Sequence, residues 1–260
     1  MKPKTFNLWL CLGLWLIASF LLVAGCKKTS PPPSSEGGGQ QARSETAEAP
    51  RPPADEGSGA AQLAPLDIKL PKPMFSGTKR NLQSVPNLEP VSDKPREPFY
   101  APAGTTNVAL GKPVTSTDKE PVWGDLALIT DGDKEATDGS YVELGPSLQS
   151  VTIDLGAPHD IYAILFWHYH KEAQYYFDVV VQVADDPDFL VNARTLFNND
   201  NDNSSGLGIG KDMYYVETHK GRLVDAKGVR ARYVRLYSNG NSSNGLNHYT
   251  EVEVFGKPAK

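Results

Sequence analysis

Arg230-Ala-Arg-Tyr-Val-Arg-Leu-Tyr-Ser238, followed after an Asn/Gly/Ser stretch by His248-Tyr-Thr-Glu-Val-Glu-Val-Phe-Gly256, is the run that decides the fold class. In the first part Tyr233, Arg235 and Tyr237 share one face and Val234 and Leu236 the other. In the second, Val252 and Val254 alternate with Glu251 and Glu253. A period of two with one apolar face predicts two half-buried strands. Between them, Asn239-Gly240-Asn241 and Asn244-Gly245 tolerate positive φ, so the connection is expected to be a surface loop, the kind of segment that often carries function.

The same signature extends backward. Val151-Thr-Ile-Asp-Leu155, Ile161-Tyr-Ala-Ile-Leu-Phe-Trp167 and Phe177-Asp-Val-Val-Val-Gln-Val183 are strand-like runs bounded by Gly, Pro, Asp or Asn. No stretch of a dozen residues in this region carries a 3.6-residue apolar period, and no repeat is present. The class is all-β, a sandwich or barrel. The 21 prolines and 23 glycines are unevenly spread, and the first hundred residues hold few long apolar patterns, so one folded domain is expected. A net charge of −5 offers no basic field for gripping phosphates, which disfavours a nucleic-acid partner. Both cysteines, Cys11 and Cys26, lie in the N-terminal apolar segment, which leaves the domain to rely on its core.

That segment has Lys2 and Lys4 ahead of an apolar run from Leu8 to Val23, a secretory signal pattern. Val23-Ala24-Gly25-Cys26 resembles the bacterial lipobox, which implies a signal peptide over 1–25 and lipidation of Cys26, with an uncleaved anchor as the other reading. Lys27 stands where an aspartate would resemble an inner-membrane retention signal, so the expected location is the cell envelope, at the outer membrane, through the lipid anchor alone. Residues 26–65 are rich in Pro, Ser, Gly and Gln and cannot bury enough surface to offset chain entropy. They are expected to form a disordered tether reaching roughly 30 to 37 Å from the lipid. In 66–103, Leu66, Ile68, Leu70, Met74, Phe75, Leu82, Val85, Leu88, Phe99 and Tyr100 are scattered among prolines. Two readings are open there, an extended arm lying on the following domain or further linker.

The domain, 104–257, resembles the discoidin or coagulation factor 5/8 type C family, which overlaps the galactose-binding-like carbohydrate modules. The resemblance rests on an ordered series: Asn107-Val-Ala-Leu-Gly-Lys-Pro-Val-Thr-Ser116, Ile129-Thr-Asp-Gly-Asp133, Val151 to Gly156, Ile161 to Trp167, Val179 to Asp186, Ala231 to Leu236 and Glu251 to Gly256. It implies an eight-stranded antiparallel jelly roll whose end loops bind ligands without catalysis.

The resemblance also implies a calcium site, built from the Leu128 carbonyl, Asp131, Asp133 and Thr137, and closed by Glu251 and the Thr250 carbonyl; the alternative is a plain Asp-Gly turn. Calcium takes six to eight oxygen ligands, which a tight Gly-containing loop can turn inward. One residue more than the family pattern lies between Asp133 and Thr137, so Ala136 is a candidate for the last position through its carbonyl. A second acidic loop, Asn198 to Gly206, fails the EF-hand spacing, because Gly206 comes one position late and Lys211 stands in place of the bidentate Glu. It is expected to be a solvated loop.

Candidate residues for a ligand-binding rim are Trp123, Tyr141, His168, Tyr169, His170, Asn239, Asn244, Asn247 and His248. An aromatic face beside polar groups suits C–H contact with a sugar. His168 and His170 are also spaced to join a transition metal with Glu172, or to pack in an ordinary loop. The closing loop lacks the aromatic that carbohydrate-binding relatives place there. There is no Gly-x-Ser-x-Gly elbow, His-Glu-x-x-His, phosphate loop or cysteine nucleophile in this region, so no catalytic residue is assigned. The expected partner is a glycan or other extracellular polymer, or alternatively a protein held by the same loops and the arm.

Overall fold

The computed structural model describes residues 62–74 and 85–260. The expected signal peptide, Cys26, most of the tether, and Phe75 and Leu82 lie outside the described residues. The strands are β1 (Leu63–Pro65), β2 (Tyr100–Pro102), β3 (Thr106–Asn107), β4 (Val114–Ser116), β5 (Val142–Leu144), β6 (Gln149–Trp167), β7 (Val180–Ala184), β8 (Arg194–Asn198), β9 (Arg222–Ser238), β10 (Asn247–Tyr249) and β11 (Glu251–Pro258). A 3-10 turn, Leu126–Thr130, precedes β5. Among the described residues every pairing between these strands is antiparallel, as the alternating sequence runs lead one to expect, and the isolated bridge Leu88–Tyr214 is parallel.

Two long strands, β6 and β9, run together through most of this architecture. Gln149–Asp154 pairs with Ser238–Tyr233, and after a register break His159–Phe166 pairs with Ala231–Arg222. That break falls at an exposed bend where Gly156 takes φ of 84°, and a second shift between Ile161 and Ala163 faces Gly228 at φ 74°, a region that an L side chain enters only with strain. The bend lets each half of the ribbon recruit different neighbours. The first half is flanked by β4 on β6 and by β7, then β8, on β9; the second half is flanked by β11, then β3, on β6. Val151, Ile153, Leu155, Val181, Val183, Val234 and Leu236 meet Ile129, Leu144, Ile164, Phe166, Tyr249, Val252 and Val254 in one core.

The two closing runs are not neighbours. β6 lies between β9 and β11, and the intervening segment forms β10, which pairs with β5 instead. Alternation predicts which side chains turn inward but not which strand supplies the partner.

The second half of β6 is apolar on both faces. Ile164 and Phe166 enter the main core, while Ala163, Leu165 and Trp167, joined by Phe255, form a second cluster on the outer side. Leu66, Ile68 and Phe99 pack over that cluster, so the arm covers a face that would otherwise be wet. Each half-buried side chain contributes about 1 kcal/mol of apolar burial. Further along, Val85 and Leu88, together with Phe177, Tyr214 and Val216, pack against Ala173 and Tyr175. The tether expected over 26–65 ends earlier than that: Leu63–Pro65 is a strand paired with Tyr100–Pro102, and the Ala103 amide donates to the Gln62 carbonyl. An edge pair of this kind tolerates its prolines because half of its amides face away from the partner.

Gly221 seats the end of β6. A Cβ there would lie 2.6 Å from Trp167 Cε2 and 2.8 Å from the Phe166 carbonyl, and its φ is 61°. Gly221→Ala is therefore expected to lower stability by about 2 kcal/mol or more through strain and displacement of Trp167. An unchanged urea midpoint for this variant would contradict that seating.

Candidate functional site

The Asp131 loop begins where the 3-10 turn ends. Asp125 caps the turn by accepting from the Ala127 amide (2.8 Å), and Ile129 and Thr130 are buried, which fixes the exit direction of the chain. Asp131 Oδ1 accepts from the Asp133 amide (2.8 Å), Asp133 Oδ1 from the Glu135 amide (3.0 Å) and Asp133 Oδ2 from Ser140 Oγ (2.8 Å). Thr137 is exposed, with its hydroxyl on Ser140 Oγ at 3.0 Å, whereas Ala136 is buried at φ 51°. The Thr250 amide donates to the Trp167 carbonyl (2.9 Å), and this bond sets the start of β11 against the end of β6. Glu251 thereby comes to the loop: its Oε2 accepts from the Gly132 amide at 3.1 Å, while its buried Oε1 has no partner.

Burial pushes the Glu251 carboxyl up to about 9; Glu253 and Asp131 add to the rise, and the Gly132 amide and Lys134 oppose it. Glu253 is held by Lys134 Nζ at 2.5 Å. An unpartnered carboxylate oxygen facing a Gly-containing acidic loop fits a hard cation, which would supply the missing partner.

A second acidic group is one that sequence spacing did not assemble. Asp178, Asp200 and Asp202 place carboxylate oxygens within 4.8 Å of one another, a grouping that could hold a metal ion. Asp178 lies just before β7 at φ 51°, inside what reads in sequence as a strand, and Asp200 and Asp202 belong to the loop expected to be solvated. Ser204 Oγ and Asn239 Nδ2 both donate to Asp178 Oδ2 at 2.8 Å. Asn239 therefore belongs to this group and not to the rim.

Three rim candidates are interior. His168 is 0% exposed, its Nδ1 2.6 Å from Glu217 Oε1 and its ring stacked on Tyr176 at 4.1 Å. His170 is equally buried, its Nε2 donating to the Lys134 carbonyl (2.8 Å). Asn247 is buried, donating to the Gly145 and Ser147 carbonyls and accepting from the Gly240 amide. These groups hold loops together and cannot meet a ligand. Asn244 is exposed, but its Oδ1 is committed to Asn241 Nδ2 and the Leu246 amide.

The remaining candidates converge. Tyr141 and Tyr169 lie 5.0 Å apart at 59°, and His248 is 6.0 and 5.8 Å from them. Trp123, 55% exposed, exchanges backbone hydrogen bonds with Glu143 (3.2 and 2.8 Å), a residue the sequence reading did not select because it sits inside a short strand. Glu143 Oε2 is 2.9 Å from His248 Nε2, and His248 Nδ1 is 2.8 Å from the Tyr176 hydroxyl, which also accepts from Gln174 Nε2 at 2.9 Å. One donor order satisfies this chain: Gln174 N–H to Tyr176 O, Tyr176 O–H to Nδ1, and Nε2–H to the Glu143 carboxylate. It requires a neutral imidazole, and burial lowers the His248 pKa, against the opposing effect of Glu143. Burial, followed by Glu143 and Asp138, raises the Tyr141 phenol; burial, Tyr141, Glu172 and Asp138 raise that of Tyr169. The result is a face of aromatic rings with both phenols protonated and one oriented carboxylate beside it. Such a face can bind by ring contact and hydrogen bonding.

No family model matches the sequence, and no curated protein matches it. Solved structures align with part of it. A family 89 glycoside hydrolase from Clostridium perfringens, in complex with an iminosugar, aligns at 23% identity over 59% of this chain and 15% of the hydrolase, TM-score 0.43. The chain thus spans about 15% of that enzyme's length. A fucose binding module from Streptococcus pneumoniae aligns at 18% identity over 57% of this chain and 96% of the module, TM-score 0.41. Chitosan-binding module 1 of a chitosanase/glucanase from Paenibacillus sp. IK-5 aligns at 21% identity over 58% and 99%, TM-score 0.38.

Glu251 generates a pH dependence. Its folded pKa, about 9, lies above its ordinary 4.5, so the folded state holds the proton more tightly. The stability this contributes is fully present below about 4.5 and is lost as pH rises toward 9. In chelator, the melting temperature is expected to fall from pH 5 to pH 8.5, and Glu251→Gln to flatten most of that fall. Equal slopes for the two proteins would rule out Glu251 as the source.

Proposed function

We propose that residues 104–257 form a non-catalytic carbohydrate-binding module whose ligand lies on the Trp123, Tyr141 and Tyr169 face. The observation that carries this reading is the tilted Tyr141–Tyr169 pair beside the Glu143 carboxylate that His248 orients. Rings receive the C–H face of a sugar, and a fixed carboxylate accepts from its hydroxyls. The ordered motif series shared with the discoidin and galactose-binding-like family supports the same reading. So does the arm: with Leu66, Ile68 and Phe99 packed on the domain, those side chains are withdrawn from the alternative, a protein partner gripped by arm and loops.

Calcium belongs to this proposal as a structural ion at the Asp131 loop, held by Asp131, Asp133, Glu251, the Leu128 and Thr250 carbonyls, and Thr137 or the Ala136 carbonyl. The buried, unpartnered Glu251 Oε1 supports it. Export and lipid attachment through Cys26 at the cell envelope complete the reading, supported by the Val23 to Cys26 pattern.

A glycan array probed with and without chelator tests the ligand class. Tyr169→Ala and Trp123→Ala are each expected to weaken the best hit about tenfold, a loss of about 1.4 kcal/mol measured by calorimetry, with the circular dichroism spectrum unchanged. Absence of glycan binding by the folded protein would sink the proposal. For the ion, calcium is expected to raise the melting temperature of a chelated sample but not of the Glu251→Gln variant, since a ligand selective for the native state stabilises it.

A further inference from the structure

The arm and the domain meet over a cavity of about 330 Å3, walled by Glu89 to Ser92 and Lys94 to Glu97 on one side and by Tyr215, Val216, Thr218 and Lys220 to Leu223 on the other. Its lining holds four cationic side chains, Lys94, Arg96, Lys220 and Arg222, against two carboxylates, Glu89 and Glu97. One carboxylate is engaged: Arg222 Nη1 donates to Glu89 Oε2 at 2.7 Å. Arg96 spends its Nη2 on backbone, donating to the Gly221 carbonyl at 2.7 Å and to the Lys220 carbonyl. Lys220 Nζ likewise donates to the Ser92 and Lys94 carbonyls at 2.5 and 2.6 Å. Among the described residues, no carboxylate forms an ion pair with Arg96 or Lys220.

The two guanidinium groups have a further deficit. Arg96 Nε and Arg222 Nε are both buried and without a partner. Burial, then the nearby Arg222 charge, holds the Arg96 guanidinium below its ordinary pKa, and no carboxylate offsets this. Arginine stays charged regardless. A surplus of positive charge around one small space, with Arg96 held only on backbone carbonyls, is what an oxyanion resolves, because a phosphate, sulfate or carboxylate matches the guanidinium fork in geometry and charge. The volume is at the lower end of small-molecule sites, so the group that carries the oxyanion is no larger than a monosaccharide.

We propose that this seam is a binding site for a small oxyanion-bearing molecule, received between Arg96 of the arm and Arg222 of β9, and that its occupancy locks the arm onto the domain. The ligand must touch both walls, so binding favours the docked arm over the released one. This site is separate from the aromatic face and does not depend on the glycan reading.

The test uses the full chain in inorganic phosphate, in sulfate, and in chloride of equal ionic strength, with glucuronate against glucose as a further pair. Phosphate and sulfate are expected to raise the melting temperature above that in chloride. They are also expected to slow hydrogen exchange at least tenfold at the Glu89 and Tyr214 amides, which bond across the seam to the Tyr214 and Asn87 carbonyls. Protection by glucuronate but not by glucose would extend the ligand to sugar acids; protection by phosphate and sulfate alone would restrict it to the free anions. Arg96→Lys, which keeps the charge and removes the guanidinium fork, is expected to weaken anion affinity about tenfold, and Arg96→Gln to abolish it. Identical melting and exchange of the wild-type chain in every anion would overturn the proposal, as would undiminished anion affinity in both variants.

Discussion

The structure depends on a strand that is apolar on both faces. From Ala163 to Trp167, β6 has no side to offer water, so material must be packed on each side of it. The inner side is met by the sandwich core. The outer side is met by the proline-rich arm, a segment that cannot form a long helix or central strand but can lay isolated apolar side chains over a surface. With β9 on one edge and β11 on the other, the end of β6 becomes a hub: Thr250 bonds to the Trp167 carbonyl, Gly221 seats the Trp167 ring, and the indole Nε1 donates to the His219 carbonyl at 2.9 Å. The Asp131 loop, the aromatic face and the arm seam all take their positions from residues within a few steps of that point.

Charge is handled differently at each place. His168 and Glu217 are buried together and hydrogen-bonded, so each offsets part of the other's desolvation. Glu251 is buried against further acids and has one oxygen unpartnered, which makes the proton, or a cation in its place, part of the fold's energetics. Arg96 is the converse, a cation held on carbonyls with a donor left over. Uncompensated buried groups are costly, so these two positions are where a ligand would have the largest effect. The aromatic face has no such deficit: its hydrogen-bond chain from Gln174 to Glu143 is complete, which suits a rigid surface that binds without rearranging.

Much of this was legible in sequence. Period-two alternation in Val151 to Leu155 and Ala231 to Leu236, with Asn and Gly between the runs, determined an antiparallel all-β domain, because side chains on a strand alternate whatever its neighbour is. The Asp131-Gly132-Asp133 turn and the aromatic character of Tyr141 and Tyr169 were readable from local chemistry, as was the scatter of apolar residues through the prolines.

Tertiary structure alone decided the partners. It set β6 between the two closing runs, brought Asp178 to Asp200 and Asp202, and drew Asn239 to that group and away from the rim. It buried His168 under Glu217, 49 residues away, and His170 against the Lys134 carbonyl, whereas the local sequence showed only two histidines leaving a strand. The physical reason is the same in each case. Local sequence sets which way a side chain points, but whether it reaches water, a counter-charge or another ring depends on which distant segment closes over it.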